Sequence, residues 1–159
     1  MSEPPLPTKQ GNFGLSIFDP GFQFLVRCPH CDACAEVTVV TGRPGWSIRL
    51  TCSTCGKSKQ SGVRVIYEGR PIDPYFQLPL WLQRPCCGKT LWAYNLGHVA
   101  FLEAYLGASQ RSRRLAWNLR IRAGGMRPGH LPQWMKAAKN REEVLRGIAS
   151  LREMALASD

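Results

Sequence analysis

Two short cysteine turns constrain this chain more than anything else in it. Cys28-Pro29-His30-Cys31 is followed, after twenty residues, by Cys52-Ser53-Thr54-Cys55 and then Gly56. Two thiolates three residues apart in a turn face the same side, so each unit offers two ligands to one ion. Two units carried at the ends of β-strands complete a tetrahedron of sulfur, about 2.3 Å from a zinc ion. Four thiolates leave no coordination position for water, so the site reads as structural and holds one zinc. A redox dithiol needs one CxxC at the start of a helix, not two in a hairpin arrangement. Cys31-Asp32-Ala33-Cys34 is also a CxxC. Pro29 favours the Cys28/Cys31 turn, which tolerates a fixed φ and a missing N–H. The expected metal ligands are therefore Cys28, Cys31, Cys52 and Cys55.

The segment between the turns suits an out-and-back hairpin, with Ala35–Val40 leading out, Thr41-Gly42-Arg43-Pro44-Gly45 turning and Trp46–Thr51 returning. Phe24–Arg27 and Val63–Tyr67 read as further short β-type runs, and the metal module is expected to be a three-stranded ribbon. Strands this short bury little apolar surface, so metal binding is expected to supply folding energy, on the order of 10 kcal/mol. Before the module, residues 1–20 carry Pro4, Pro5, Pro7 and Pro20 and read as a flexible leader. After it, Gly69–Pro74 reads as an irregular crossing, because its prolines forbid a regular ladder.

A second hairpin is expected from Leu78–Gln83 and Thr90–Tyr94 around Pro85-Cys86-Cys87-Gly88-Lys89, with Trp81 and Trp92 pairing across it. Asn95 is a candidate N-cap for a helix whose stripe is Val99, Leu102, Tyr105 and Leu106. Leu115, Trp117, Leu119 and Ile121 alternate as in a strand, and the Ala123–Gly129 stretch breaks whatever precedes it. Asn140 and Glu143 have the spacing of a capping box, ahead of a closing helix with Val144, Ile148, Leu151 and Ala155 on one face.

Cys86 and Cys87 have two readings: small hydrophobes in a turn, or part of a second metal site with Cys34, His30 or His98. Adjacent cysteines seldom both reach one tetrahedral ion, which favours the first. A Cys–His nucleophile built from Cys87 and His98 lacks an orienting third group and an oxyanion site, and the chain has no phosphate loop, HExxH or GxSxG. The sequence therefore reads as a non-enzyme. No run approaches eighteen apolar residues, so no membrane span is expected. Seven cysteines without an export signal suggest the cytoplasm.

Charge supplies the functional signal. The chain has 21 Lys and Arg against 11 Asp and Glu, a formal net charge of +10. The excess is concentrated in Arg111, Arg113, Arg114, Arg120, Arg122, Arg127, Lys136, Lys139 and Arg141, with no acidic residue among them. Such a run attracts polyanions, whether DNA, RNA or an acidic protein surface. Trp117 and Trp134 fall inside it, either as stacking platforms for bases or as core anchors.

The stretch from Cys28 to Cys55 resembles the zinc ribbons of transcription factors, RNA polymerase subunits and topoisomerases, and the four cysteines alone carry that likeness. Leu91-Trp92-Ala93-Tyr94-Asn95 with His98, and the phrase from Leu131 to Arg141, are similar to a group of small bacterial transcription-factor-type zinc-ribbon proteins. Together these imply an α+β protein in which residues 21–68 are a zinc ribbon of short antiparallel strands, and residues 75–159 are a β-hairpin with a helical, basic region. The expected function is nucleic-acid binding through the arginine-rich run. The alternative is an interaction module, of adaptor or immunity/antitoxin type, that covers an acidic partner.

Overall fold

Alternation of apolar and polar residues places one face of a sheet indoors, and the first half of the fold follows from it. The computed structural model describes residues 21–41, 47–61, 70–107 and 131–158. The leader, the turn at 42–45, the Val63–Tyr67 strand, the alternation at 115–121, the break at 123–129 and every arginine from Arg111 to Arg127 lie outside these residues. Four strands, one more than the three expected, form one antiparallel sheet in sequential order: β1 (Gln23–Arg27), β2 (Cys34–Thr41), β3 (Ser47–Thr51) and β4 (Ser58–Ser61). The register sets Phe24 against Val37, Val26 against Ala35, Val37 against Leu50 and Val39 against Ile48. All of these side chains are buried, while Glu36, Arg49 and Thr51 on the other face are exposed.

This sheet has a core of its own. Phe22, Tyr75, Leu80 and Tyr94 cover its inner face. Phe24 meets Tyr94 and Tyr75 edge-on, at ring separations of 5.1 and 5.7 Å, the geometry that aromatic quadrupoles favour. The crossing segment is held by Asp73, whose buried carboxylate accepts backbone N–H bonds from Tyr75, Phe76 and Leu78. Desolvation pushes that carboxyl above its usual range, against the pull of the three donors.

The second half is a hairpin on helices. Strands β5 (Leu82–Cys86) and β6 (Lys89–Ala93) pair with Cys86 opposite Lys89, so the turn is only Cys87-Gly88. Both turn residues have positive φ, 54° and 72°, as a two-residue turn of type I′ requires. Strand β5 begins four residues later than expected, so Gln83, not Trp81, faces Trp92. Trp81 instead packs on the second core with the Arg27 guanidinium over its ring, and Trp92 lies against Tyr94 and His98.

Helix α1 (Leu96–Leu106) starts at Asn95, whose side chain accepts the His98 N–H as expected of an N-cap. A short α2 (Gln133–Lys136) and a 3-10 turn lead into α3 (Arg141–Ala157). Val144, Ile148, Leu151 and Ala155 are all buried, as the periodicity predicts. The capping box does not form. Asn140 is itself helical and donates to the Trp134 carbonyl, while the Glu143 carboxylate turns to Cys87. Trp134 is half-buried against this second core. Gly147 lets α3 approach the hairpin, since a Cβ there would stand 2.7 Å from Leu91 Cδ2. An Arg152–Glu103 ion pair ties α3 to α1.

His98 is a buried histidine of the second half. Its Nδ1 accepts the Tyr94 N–H at 3.0 Å, and burial pushes its pKa down to about 3. An unfolded histidine titrates near 6.5, so between those values the unfolded chain binds the extra proton. The stability held by neutral His98 is complete above pH 6.5 and is lost as the pH falls toward 3. Between pH 7.5 and 5 the loss should be about 2 kcal/mol. His98→Asn, which keeps an acceptor for Tyr94, should flatten that slope in urea unfolding measured across pH. An unchanged slope would assign the pH sensitivity to another group.

Candidate metal centre

The two CxxC turns are built alike, residue for residue. In the first, the Cys28 N–H donates to the Ala33 carbonyl and the Asp32 N–H to the Cys28 carbonyl. In the second, the Cys52 N–H donates to the Lys57 carbonyl and the Gly56 N–H to the Cys52 carbonyl. The residue four after each leading cysteine takes positive φ, 64° at Asp32 and 75° at Gly56. Glycine adopts that conformation freely, and aspartate is among the few other residues that visit it. One turn joins β1 to β2 and the other joins β3 to β4. The β2–β3 pairing of Glu36 with Thr51 brings both to the same end of the sheet.

The consequence is a cluster of four sulfurs. Cys28, Cys31, Cys52 and Cys55 have their Sγ atoms all within 4.8 Å of one another, close enough to hold one metal ion. Cys28 and Cys55 are 3.8 Å apart, and Cys31 and Cys52 are 3.5 Å apart. A tetrahedron with 2.3 Å metal–sulfur bonds has edges of about 3.8 Å, so these separations fit one ion. Cys28 and Cys52 are buried and Cys31 and Cys55 half-buried, which leaves one side of the cluster nearer water.

Backbone donors already favour thiolate here. The N–H of Cys55, helped by that of Thr54 and opposed by desolvation, draws the Cys52 thiol down to about 6. At Cys31 the Ala33 N–H pulls the same way, but desolvation and the sulfurs of Cys52, Cys28 and Cys55 outweigh it and push the thiol up to about 12. The pair shares a proton, which a metal displaces on binding. The His30 N–H points at Cys28 Sγ, 3.4 Å away, the kind of outer contact that orients a sulfur ligand.

Cys34 stands outside the cluster, in β2, with its thiol directed at the Ala35 carbonyl. The Cys31/Cys34 reading of the first turn is thereby set aside. Cys86 and Cys87 do not meet Cys34, His30 or His98. They meet Glu143 of α3, 56 residues further along, which sequence reasoning had assigned to a capping box. The Glu143 carboxylate accepts the Cys87 thiol proton at 3.0 Å, which pushes that thiol up to about 12 and holds the carboxyl below its usual range. Of the basic run, Lys139 and Arg141 are exposed and Lys136 is half-buried.

The chain matches no protein-family model, no curated protein and no solved structure.

The matched turns differ in one testable respect. A Cβ on Gly56 meets nothing within 4 Å, so Gly56→Ala adds only backbone strain. It should cost about 1–2 kcal/mol in thermal or urea unfolding at fixed free metal. Asp32→Gly, at the equivalent position, should stay within about 0.5 kcal/mol of the parent, since it removes strain and adds unfolded-state entropy. Equal losses at both positions would contradict the equivalence of the turns.

Proposed function

We propose that this is a nucleic-acid-binding protein and not an enzyme. In this reading one zinc, held by Cys28, Cys31, Cys52 and Cys55, fixes a zinc-ribbon fold, and the basic run from Arg111 to Arg141 contacts phosphates. The run carries the reading: nine cations without an intervening acid are the electrostatic footprint of a phosphate-binding surface. Lys139 and Arg141, at its C-terminal end, are exposed as phosphate contacts must be. Zinc is supported by the donor chemistry, four soft thiols at tetrahedral-edge distances. No helix among the described residues is long and apolar enough to cross a membrane.

A second reading has its own observation. Tyr105, Leu106, Met135 and Val144 line a groove of about 160 Å³ that Lys136 and Arg141 also line. An apolar floor with a cationic rim suits an acidic amphipathic segment of a protein partner.

Metal analysis tests the first half of the proposal. The purified chain should carry one tightly held zinc, lost in Cys52→Ser and in Cys28→Ser and retained in Cys87→Ser. Retention of zinc in Cys52→Ser would show that these four sulfurs are not the ligands.

Fluorescence anisotropy with labelled single- and double-stranded oligonucleotides tests the second half. Each neutralised phosphate releases condensed counterions, so about five contacts on duplex DNA should give a slope of roughly −4.5 in log K against log[salt]. Reversing Arg114, Arg120 and Arg122 to Glu together should abolish binding while the fold and the zinc remain. A folded, zinc-loaded chain that binds neither strand form at low salt would overturn nucleic-acid binding and favour the acidic protein partner.

A further inference from the structure

Cys86 and Cys87 lie apart from the four-sulfur cluster, and the proposed function makes no use of them. Their surroundings are specific. The I′ turn presents Cys87 at the tip of the hairpin, while Cys86 faces inward as the last residue of β5. Gly147 brings α3 so close that a Cβ there would stand 3.5 Å from Cys86 Sγ. The first turn of α3 therefore lies over the hairpin tip. The Cys86 thiol is directed at the Glu143 carbonyl, and the Cys87 N–H and thiol both donate to the Glu143 carboxylate.

The geometry points to a second metal site, in which Cys86 Sγ, Cys87 Sγ and a Glu143 carboxylate oxygen hold a thiophilic divalent cation of the zinc class, with a fourth position open to water or an exogenous ligand.

The two sulfurs are 3.7 Å apart, against a tetrahedral edge of about 3.8 Å for 2.3 Å bonds. All three ligand atoms lie within 4.8 Å of one another. The carboxylate oxygen is 3.0 Å from Cys87 Sγ, bridged by the thiol proton. When a metal replaces that proton, the sulfur–oxygen edge must open to about 3.6 Å, a shift available to an exposed glutamate. Binding releases the two thiol protons to solvent and forms two metal–sulfur bonds, and nothing is oxidised or reduced. Three anionic ligands on a divalent ion leave one negative charge, and Arg84 and Arg146 are the cations that act on Glu143. Two thiolates and a carboxylate with an open position make a more exchangeable site than four thiolates.

Cobalt(II) reports this directly. The 159-residue chain, zinc-loaded and kept reduced by a phosphine, is titrated with cobalt. One further equivalent should bind and give a thiolate-to-cobalt charge-transfer band with about half the intensity of a four-sulfur site. Cys87→Ser should abolish that band. Glu143→Gln, which keeps the side-chain shape, should weaken binding about tenfold or more. Both variants should keep the first zinc and the far-ultraviolet circular dichroism of the parent. In Cys52→Ser the hairpin-tip equivalent should persist, so failure of the four-cysteine site is read separately. If the parent takes up no further equivalent, or if the band survives unweakened in Glu143→Gln, the second site does not exist.

Discussion

Strand β1 is paired along both edges, and the two halves of the molecule are one structure because of it. One edge carries the ladder to β2. On the other, Leu25 N–H donates to the Tyr94 carbonyl, Arg27 N–H to the Pro79 carbonyl, and Trp81 N–H to the Leu25 carbonyl, at 2.8 to 2.9 Å. The Asn95 side chain adds a bond to the Gln23 carbonyl at 2.8 Å. An unpaired edge through the consecutive Phe24, Leu25 and Val26 would invite another strand; here the chain supplies its own cover. The same residues then serve twice. Tyr94 closes the first core and gives its carbonyl to β1, while Asn95 caps α1 and fixes where that helix begins. Among the described residues the opposite edge is β4, Ser58-Lys59-Gln60-Ser61, which is short and polar and so a poor template for another strand.

What the sequence made legible was local. The two CxxC turns, the strands β1 to β3, the Asn95 cap and the stripe of α3 each depend on residues within a turn or a strand of one another. The errors share an opposite cause. Leu78–Gln83 looked like a strand because it is apolar, but residues 79–81 are committed to the edge of β1, which delays β5 and separates Trp81 from Trp92. Asn140 and Glu143 had the spacing of a capping box, but Glu143 has a better partner 56 residues back in the chain. The polar β4 carries no hydrophobic signal and is strand only because the second cysteine turn aims it back at β3. The core beneath the sheet is also larger than the strands alone suggest, since Tyr75, Leu80 and Tyr94 arrive from later in the chain.

The two cysteine clusters show the same division. Cys28, Cys31, Cys52 and Cys55 are brought together by two turns that repeat one hydrogen-bond pattern, so spacing alone discloses them. Cys86 and Cys87 look inert by spacing, because adjacent residues in an ordinary strand point to opposite faces. The left-handed turn at Cys87 removes that objection by folding its side chain back toward Cys86, to a sulfur separation of 3.7 Å. Glu143 then completes a group that no local pattern contains.

These proposals converge on the start of α3. Arg141 is the last cation of the basic run, and Glu143, two residues on, reaches the hairpin tip. Glu142 and Glu143 sit in the first turn of that helix, where negative charge suits the exposed N–H dipoles. A phosphate approaching Arg141 therefore meets an attraction from the run and a repulsion from these two carboxylates. A divalent cation on Cys86, Cys87 and Glu143 would replace two thiol protons and leave the charge of the group at minus one, so it would act on this turn by clamping it against β5 and not by relieving the repulsion. Occupancy of the hairpin tip would then reach anion binding at Arg141 through the position of that helix turn, and by linkage whatever factor the metal applies to anion binding, a bound anion applies to metal binding.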